Sequence, residues 1–358
     1  MVTFRPLVHP SRSIPCRSRD TSGAVEAGYL ARTTSFRAGA HLPGHDSSPT
    51  VPLRADEDAL GAFRRVLANL ASTIHANLDG TIHEADAELL HEMRVAIRRT
   101  RSVLAQGKGV LPPDIRARYR EAFGWLGEIT SPARDLDVHI LGWDEYVSPL
   151  GELERASLEP VRAALETRRR AAHDDLAAAL RSDRAREELD GWRRWLADPA
   201  VAADRVHRLG PVVTKRIRKA QRKVLDRGRA ITPESPPERL HDLRKDTKQL
   251  RYLLECFGSL FPTKAHRAFV RQLKDLQDNL GRHQDAEIHL VELRELARDL
   301  RQQPDPDADV LLAIGRLSEH LERRRQEERH DFASRFRAYD RKQNRHALEK
   351  LLEAAAGT

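Results

Sequence analysis

His91, Arg94, Arg98 and Arg101 stand at i, i+3, i+7 and i+10, and His241, Arg244, Lys248 and Arg251 repeat that spacing 150 residues later. At about 100° per residue on a helix, each set falls within an arc of about 80°. Like charges stacked this way repel by a few tenths of a kcal/mol per close pair. A solvated structural face would interleave acids, and neither row contains one. The rows therefore call for an external anion, and a repeated one. Arginine offers phosphate oxygens a planar fork and lysine a point charge. A neutral histidine at the head of a row can donate to a phosphate, and a protonated one adds to the charge.

Something must hold the rows in place. Met93, Ile97, Thr100 and Leu104 form a separate arc about 110° from the first row, and Leu243, Thr247, Leu250 and Leu254 do the same for the second. These seams fix the helix rotation, so each basic row runs beside a core. Other basic residues could extend the track. Lys215, Lys219 and Arg222, with Arg218 and Lys223 nearby, precede the second row. Arg267, Arg271 and Lys274 follow it at the same spacing, and Arg64, Arg65, Arg116 and Arg120 flank the first row. Each of these taken alone reads as a solvated surface residue.

The surrounding pattern is helical. Leu60, Phe63, Leu67, Leu70 and Ile74 recur at helical spacing, and Asp79-Gly80 is expected to stop that helix. Further helices are expected over about 84–106, 113–129, 133–148, 153–182 and 186–197, with no strand-like alternation of any length. The fold class is therefore all-α. Besides the two rows, LGEITSPARDLDVHI at 126–140 aligns with LQDNLGRHQDAEIHL at 276–290 at the same offset of 150, and a third pair of segments aligns at 156. This argues for internal duplication. The expected organisation is two four-helix bundles related by a pseudo-two-fold, over 55–200 and 204–356. Residues 1–54 carry Ser, Thr, Pro, Gly and scattered Arg without apolar periodicity. They share an Arg- and Ser-rich, acid-poor character with transit peptides, but their weak amphipathicity reads as a disordered tail.

Composition narrows the function. The 358 residues carry 62 Lys+Arg against 54 Asp+Glu, a net charge of +8, which favours polyanions: nucleic acid, acidic lipid or phosphate polymers. Two cysteines, Cys16 and Cys256, form no disulfide framework and fit reduced thiols in the cytoplasm. No apolar run reaches the ~18 residues of a membrane span. Aromatics make up only 5% of the chain, few for base stacking, and no recognition-helix turn is present. No nucleophile elbow, P-loop, HExxH or paired-carboxylate constellation points to an enzyme. Asp135, Asp137 and His139, with Asp285, Glu287 and His289, raise the question of a metal. An Asp-x-Asp-x-His run on one helix does not bring three side chains to one face. The acids read instead as helix caps or as groups orienting the arginines, and neither metal nor cofactor is expected.

At the two H-[ED]-x-R-x3-[RK]-x2-R helices, 91–101 and 241–251, and at SPARDLDV and GRHQDAEI, the sequence resembles the CHAD family, the conserved-histidine α-helical domain. The resemblance spans about 56–340. It implies two helical bundles around a basic groove that binds inorganic polyphosphate, and association with polyphosphate granules in some bacteria. Matched by motif, the ligand residues are His91, Arg94, Arg98, Arg101, His241, Arg244, Lys248 and Arg251. The sequence departs from the family pattern at Gln284, where the first half has Arg134, and at Lys248. The alternatives are a metal-dependent phosphohydrolase and a nucleic-acid binder.

Overall fold

The computed structural model describes residues 51–201, 207–302 and 307–356. The expected tail falls almost wholly outside the described residues. Among these residues there are thirteen α-helices, one short 3-10 turn and no strand. They are α1 (Ala59–Ile82), α2 (Ala87–Gln106), α3 (Pro113–Ile129), α4 (Ser131–Leu141), α5 (Trp143–Val147), α6 (Glu152–Ser157), α7 (Glu159–Leu180), α8 (Asp183–Ala197), α9 (Leu209–Arg229), α10 (Pro237–Cys256), α11 (Thr263–Leu300), α12 (Ala308–Tyr339) and α13 (Lys342–Ala356). None of them is long and apolar enough to cross a membrane.

The helix starts follow from local chemistry. The Asp58 carboxylate accepts from the Gly61 amide at 2.8 Å and caps α1, and Asp86 accepts from the Glu88 amide at 2.8 Å and caps α2. Gly80 does not stop α1, which runs on to Ile82. The glycine lies under a side chain of α2 instead: a Cβ there would stand 2.3 Å from Leu89 Cδ1, and the leucine would have to turn aside.

Both predicted seams are buried. Met93, Ile97, Thr100 and Leu104 on α2, and Leu243, Thr247, Leu250 and Leu254 on α10, are all at most 1% exposed. One continuous core takes in side chains of α1, α2, α3, α9, α10, α13 and the first half of α11. Phe63 of α1 meets Phe257, just after α10, at 5.0 Å between ring centroids, so apolar packing crosses from one half of the sequence to the other. A second core joins Trp143, Val147, Val161 and Leu165 to Leu290, Leu293, Leu296, Ile314 and Leu317. The 38-residue α11, about 57 Å long at 1.5 Å per residue, serves both cores.

Positions 150 apart differ most at this helix. Where α11 runs unbroken, the first half divides into α3, α4 and α5. The break at Thr130–Ser131 precedes Pro132, which lacks an amide donor and fits only the first turn of a new helix. The residue 150 positions on is Arg282, which leaves α11 continuous. The helix expected over 153–182 likewise divides, with Pro160 in the first turn of α7.

Candidate anion-binding groove

The two basic rows lie on α2 and α10, which pack against each other in the core. The α2 row faces α3 and α4. There Arg94 Nη1 donates to Thr130 Oγ1 at 2.8 Å and Ser131 Oγ at 3.1 Å, so the break between α3 and α4 braces an arginine. Arg101 lies along α3: a Cβ on Gly127 would stand 2.6 Å from its Nη1. The α10 row faces α11, where His241 Nδ1 meets Gln284 Oε1 at 2.5 Å and Arg244 Nη2 lies 3.5 Å from Asp285 Oδ1. With Gln284 accepting, His241 carries its proton on Nδ1.

The charges of the two rows bear on each other. Lys248 is pushed down to about 7, first by burial and then by Arg244 of its own row and Arg98 of the other. Arg94 is lowered to about 10 by burial, with Arg98, Arg134 and Arg101 adding to the effect. His91 is lowered to about 4 by burial, then by Arg134, Arg98 and Arg94, and is neutral at pH 7. In this crowded site the free imidazole is a hydrogen-bond donor and not an extra charge.

Carboxylates are present but sparse. Asp285 stands beside Arg244, and burial raises its pKa against the pull of Arg244 and Lys248. Asp135 behaves alike beside Arg94, Arg98 and Arg134. Glu255 lies 2.9 Å from Arg99 and 3.3 Å from Arg251, so Arg251, like Arg244, is a row member with an internal carboxylate beside it. Among the described residues, Arg94, Arg98, Arg101, Arg134 and Lys248 have no carboxylate oxygen within 4.0 Å. The acids thus orient the arginines, as one sequence reading expected. Asp285 does not cap a helix, because it lies in the middle of α11.

The flanking candidates separate into groove and non-groove residues. Lys215, Lys219 and Arg222 are exposed on α9. That helix packs on the back of α10, where Lys223 pairs with Asp246 at 2.7 Å and Arg227 with Asp246 at 3.2 Å. Asp246 points about 140° to 160° away from Arg244, Lys248 and Arg251 on the helical wheel, so these three candidates lie behind the row. Spacing within α9 could not reveal which face of α10 it covers. Arg267, Arg271 and Lys274 are on the groove side: on α11 they fall within about 40° of Asp285 and continue its face past Arg251. Arg120 is exposed on α3, near Arg116. Arg64 caps the end of α8 through the Trp195 and Leu196 carbonyls, Arg65 pairs with Glu57, Arg116 caps α2 at the Leu104 carbonyl, and Arg218 pairs with Glu349. These four are held by internal partners away from the rows.

Sequence reasoning missed Arg134 as a groove cation, and missed the bracing hydroxyls Thr130 and Ser131. Arg134 is half-buried and bears on His91, Arg94 and Lys248's partner Arg98. Its signal was its place beside Asp135, 150 positions before Gln284. Asp137, read in the sequence as a helix cap or a group orienting the arginines, holds an arginine outside the rows. It is 1% exposed and accepts from Arg169 Nε at 2.7 Å and meets His173 Nε2 at 2.9 Å, which pins α4 to α7. Asp137→Ala strands the buried His173 and takes from Arg169 one of its two carboxylates, Glu84 remaining, and is expected to cost about 1–3 kcal/mol in urea unfolding. A loss under about 1 kcal/mol would show that the network contributes nothing to stability.

The arrangement is that of an all-α protein with rows of cationic side chains on two helices that pack against each other. The CHAD domain family model matches residues 65–294, and the chain belongs to the CHAD family. That family is linked in general to polyphosphate binding. The fold matches the crystal structure of the CHAD domain from the plant Ricinus communis with a TM-score of 0.67 and 26% identity, over 81% of this chain and 96% of that one. It also matches PptA from Streptomyces chartreusis with a TM-score of 0.61 and 18% identity, over 78% of this chain and all of that one, a likeness of fold alone. An uncharacterized protein of Mycobacterium tuberculosis is 28% identical over 295 residues, which is 76% of this chain. The chain spans about half the length of that curated relative, 52%.

Proposed function

We propose that this chain is a non-catalytic module that binds inorganic polyphosphate along the groove between α2 and α10. His91, Arg94, Arg98, Arg101, His241, Arg244, Lys248 and Arg251 contact the phosphates, Arg134 joins them, and Arg267, Arg271 and Lys274 extend the track along α11. What supports the reading is the packing of the two row helices on each other, with Arg98 of one row bearing on Lys248 of the other. Cations held half-buried beside one another are stabilised by a string of negative charge. In this reading 55–200 and 204–356 are two copies of one unit, each contributing a row, and the protein works in the cytoplasm, on polyphosphate granules where these occur.

Isothermal calorimetry with a long polyphosphate at a series of salt concentrations tests this. For six to ten phosphates contacted, affinity is expected to fall by about 10³–10⁵ between 50 and 200 mM salt, taking double-stranded DNA binding as the guide. Polyphosphate is expected to displace duplex DNA at fixed salt, and DNA displacing polyphosphate would favour a nucleic-acid binder. Release of phosphate from the polymer in the presence of Mg²⁺ or Mn²⁺ would replace the binding module with a phosphohydrolase.

A further inference from the structure

His139 and His289 stand 150 positions apart in sequence and meet in the structure. Their ring centroids are 4.5 Å apart, on α4 and α11, and the side chains are 3% and 5% exposed. Glu292, one turn along α11 from His289, brings its Oε2 to 2.7 Å from His139 Nδ1. Yet His139 Nδ1, His289 Nδ1 and Glu292 Oε2 are all buried without a hydrogen bond. The close nitrogen–oxygen contact therefore lacks hydrogen-bond alignment. A buried polar atom left this way is costly, and three of them in one cluster call for an explanation.

We propose that His139, His289 and Glu292 bind a divalent transition-metal ion of the zinc class. One donor atom from each lies within 4.8 Å of the other two, which fits three ligands around a single ion. Two imidazoles and one carboxylate suit zinc, cobalt or nickel better than magnesium or calcium, which prefer all-oxygen sites. The outer shell is in place. Tyr146 Oη is 3.3 Å from His289 Nε2, and an Nε2–H donating to it leaves the Nδ1 lone pair free for the ion. The Tyr146 and Trp143 rings wall the cluster, with centroids 5.5 and 6.1 Å from that of His139. The nearby charges favour a cation. Glu292, Asp285 and Glu145 are acidic, and the one neighbouring guanidinium, Arg324, is 3.5 Å from Glu145. Such an ion would tie α4 to α11, the two segments that also carry Asp135 and Asp285 into the groove.

The whole chain, freed of metal by chelation, is titrated with Co²⁺ and then with Zn²⁺. One equivalent of Co²⁺ is expected to give the intense visible bands of a low-coordinate site, Zn²⁺ is expected to displace it, and either ion is expected to raise the Tm. Glu292→Gln keeps the shape and is expected to weaken Zn²⁺ binding at least ~10-fold. His139→Gln combined with His289→Gln is expected to remove the bands. If the double variant unfolds, Glu292→Gln alone decides. Binding unchanged in Glu292→Gln, or no stoichiometric Co²⁺ uptake by the wild-type chain, overturns the site. Polyphosphate binding by the metal-free chain is measured alongside, so failure of this site and failure of the groove reading are told apart.

Discussion

Arg98→Glu combined with Lys248→Glu is expected to weaken polyphosphate binding by at least ~100-fold at 0.1 M salt while the helical circular dichroism stays unchanged. These two residues stand where the rows meet, so a bound chain passes both. Each reversal removes one attraction and installs one repulsion, and a hundredfold loss corresponds to only about 2.7 kcal/mol. The fold should tolerate the change, because both side chains project beside the seams and not into them. Reversal also relieves the mutual repulsion of the free groove. The paired control is Lys215→Glu with Lys219→Glu. It changes the net charge of the chain equally but acts behind α10, and it is expected to shift affinity less than ~3-fold. Equal losses in both variants would mean that binding follows net charge and not the groove.

Affinity is also expected to fall as pH rises above about 7, by up to ~10-fold per unit, until the bound-state pKa of Lys248 is passed. The sign follows from the groove. In the free protein Lys248 loses its proton near pH 7, against an ordinary 10.5, because of burial and the neighbouring Arg244 and Arg98. A bound polyanion restores the ammonium, so binding takes up a proton between pH 7 and the higher bound-state value. Below pH 7 the group is already charged and its contribution is flat. His91, lowered to about 4, adds a second uptake on the acid side, between 4 and its bound value. Calorimetry in buffers of different ionisation enthalpy reads the uptake directly. Lys248→Arg is expected to abolish the alkaline loss, since a guanidinium stays charged. The same group has a stability consequence of definite sign. Its folded pKa lies below its unfolded one, so the unfolded chain holds the proton more tightly between pH 7 and 10.5. This group alone therefore makes the fold more stable as pH climbs through that window. An affinity independent of pH from 6 to 9 would refute the lowering of Lys248 by burial and its cationic neighbours.

Much of this could be read in the sequence, for local reasons. Apolar spacing along 93–104 and 243–254 set which face of each helix is buried, and eight seam residues are buried as that spacing requires. Once the seam is fixed, rigid 3.6-residue geometry fixes the direction of the basic row. The offset of 150 linked His91 to His241 and His139 to His289 before any packing was known. Proline spoke unevenly: the break before Pro132 falls between the helices expected over 113–129 and 133–148, whereas Pro160 opens a new helix inside the one that apolar periodicity carried straight through 153–182.

What the sequence alone determined is the all-α class, the buried faces of α2 and α10 and the two rows of positive charge, because these depend on neighbours a few residues away. Tertiary structure alone decided that Arg98 reaches the field of Lys248, that α9 turns Lys215, Lys219 and Arg222 away from the groove, that Asp137 is taken by Arg169 and His173, and that two histidines from distant helices share one site with Glu292. Each of these is a question of which helix packs on which face. Many pairings satisfy the same amphipathic pattern, and only the closing of the whole core selects one.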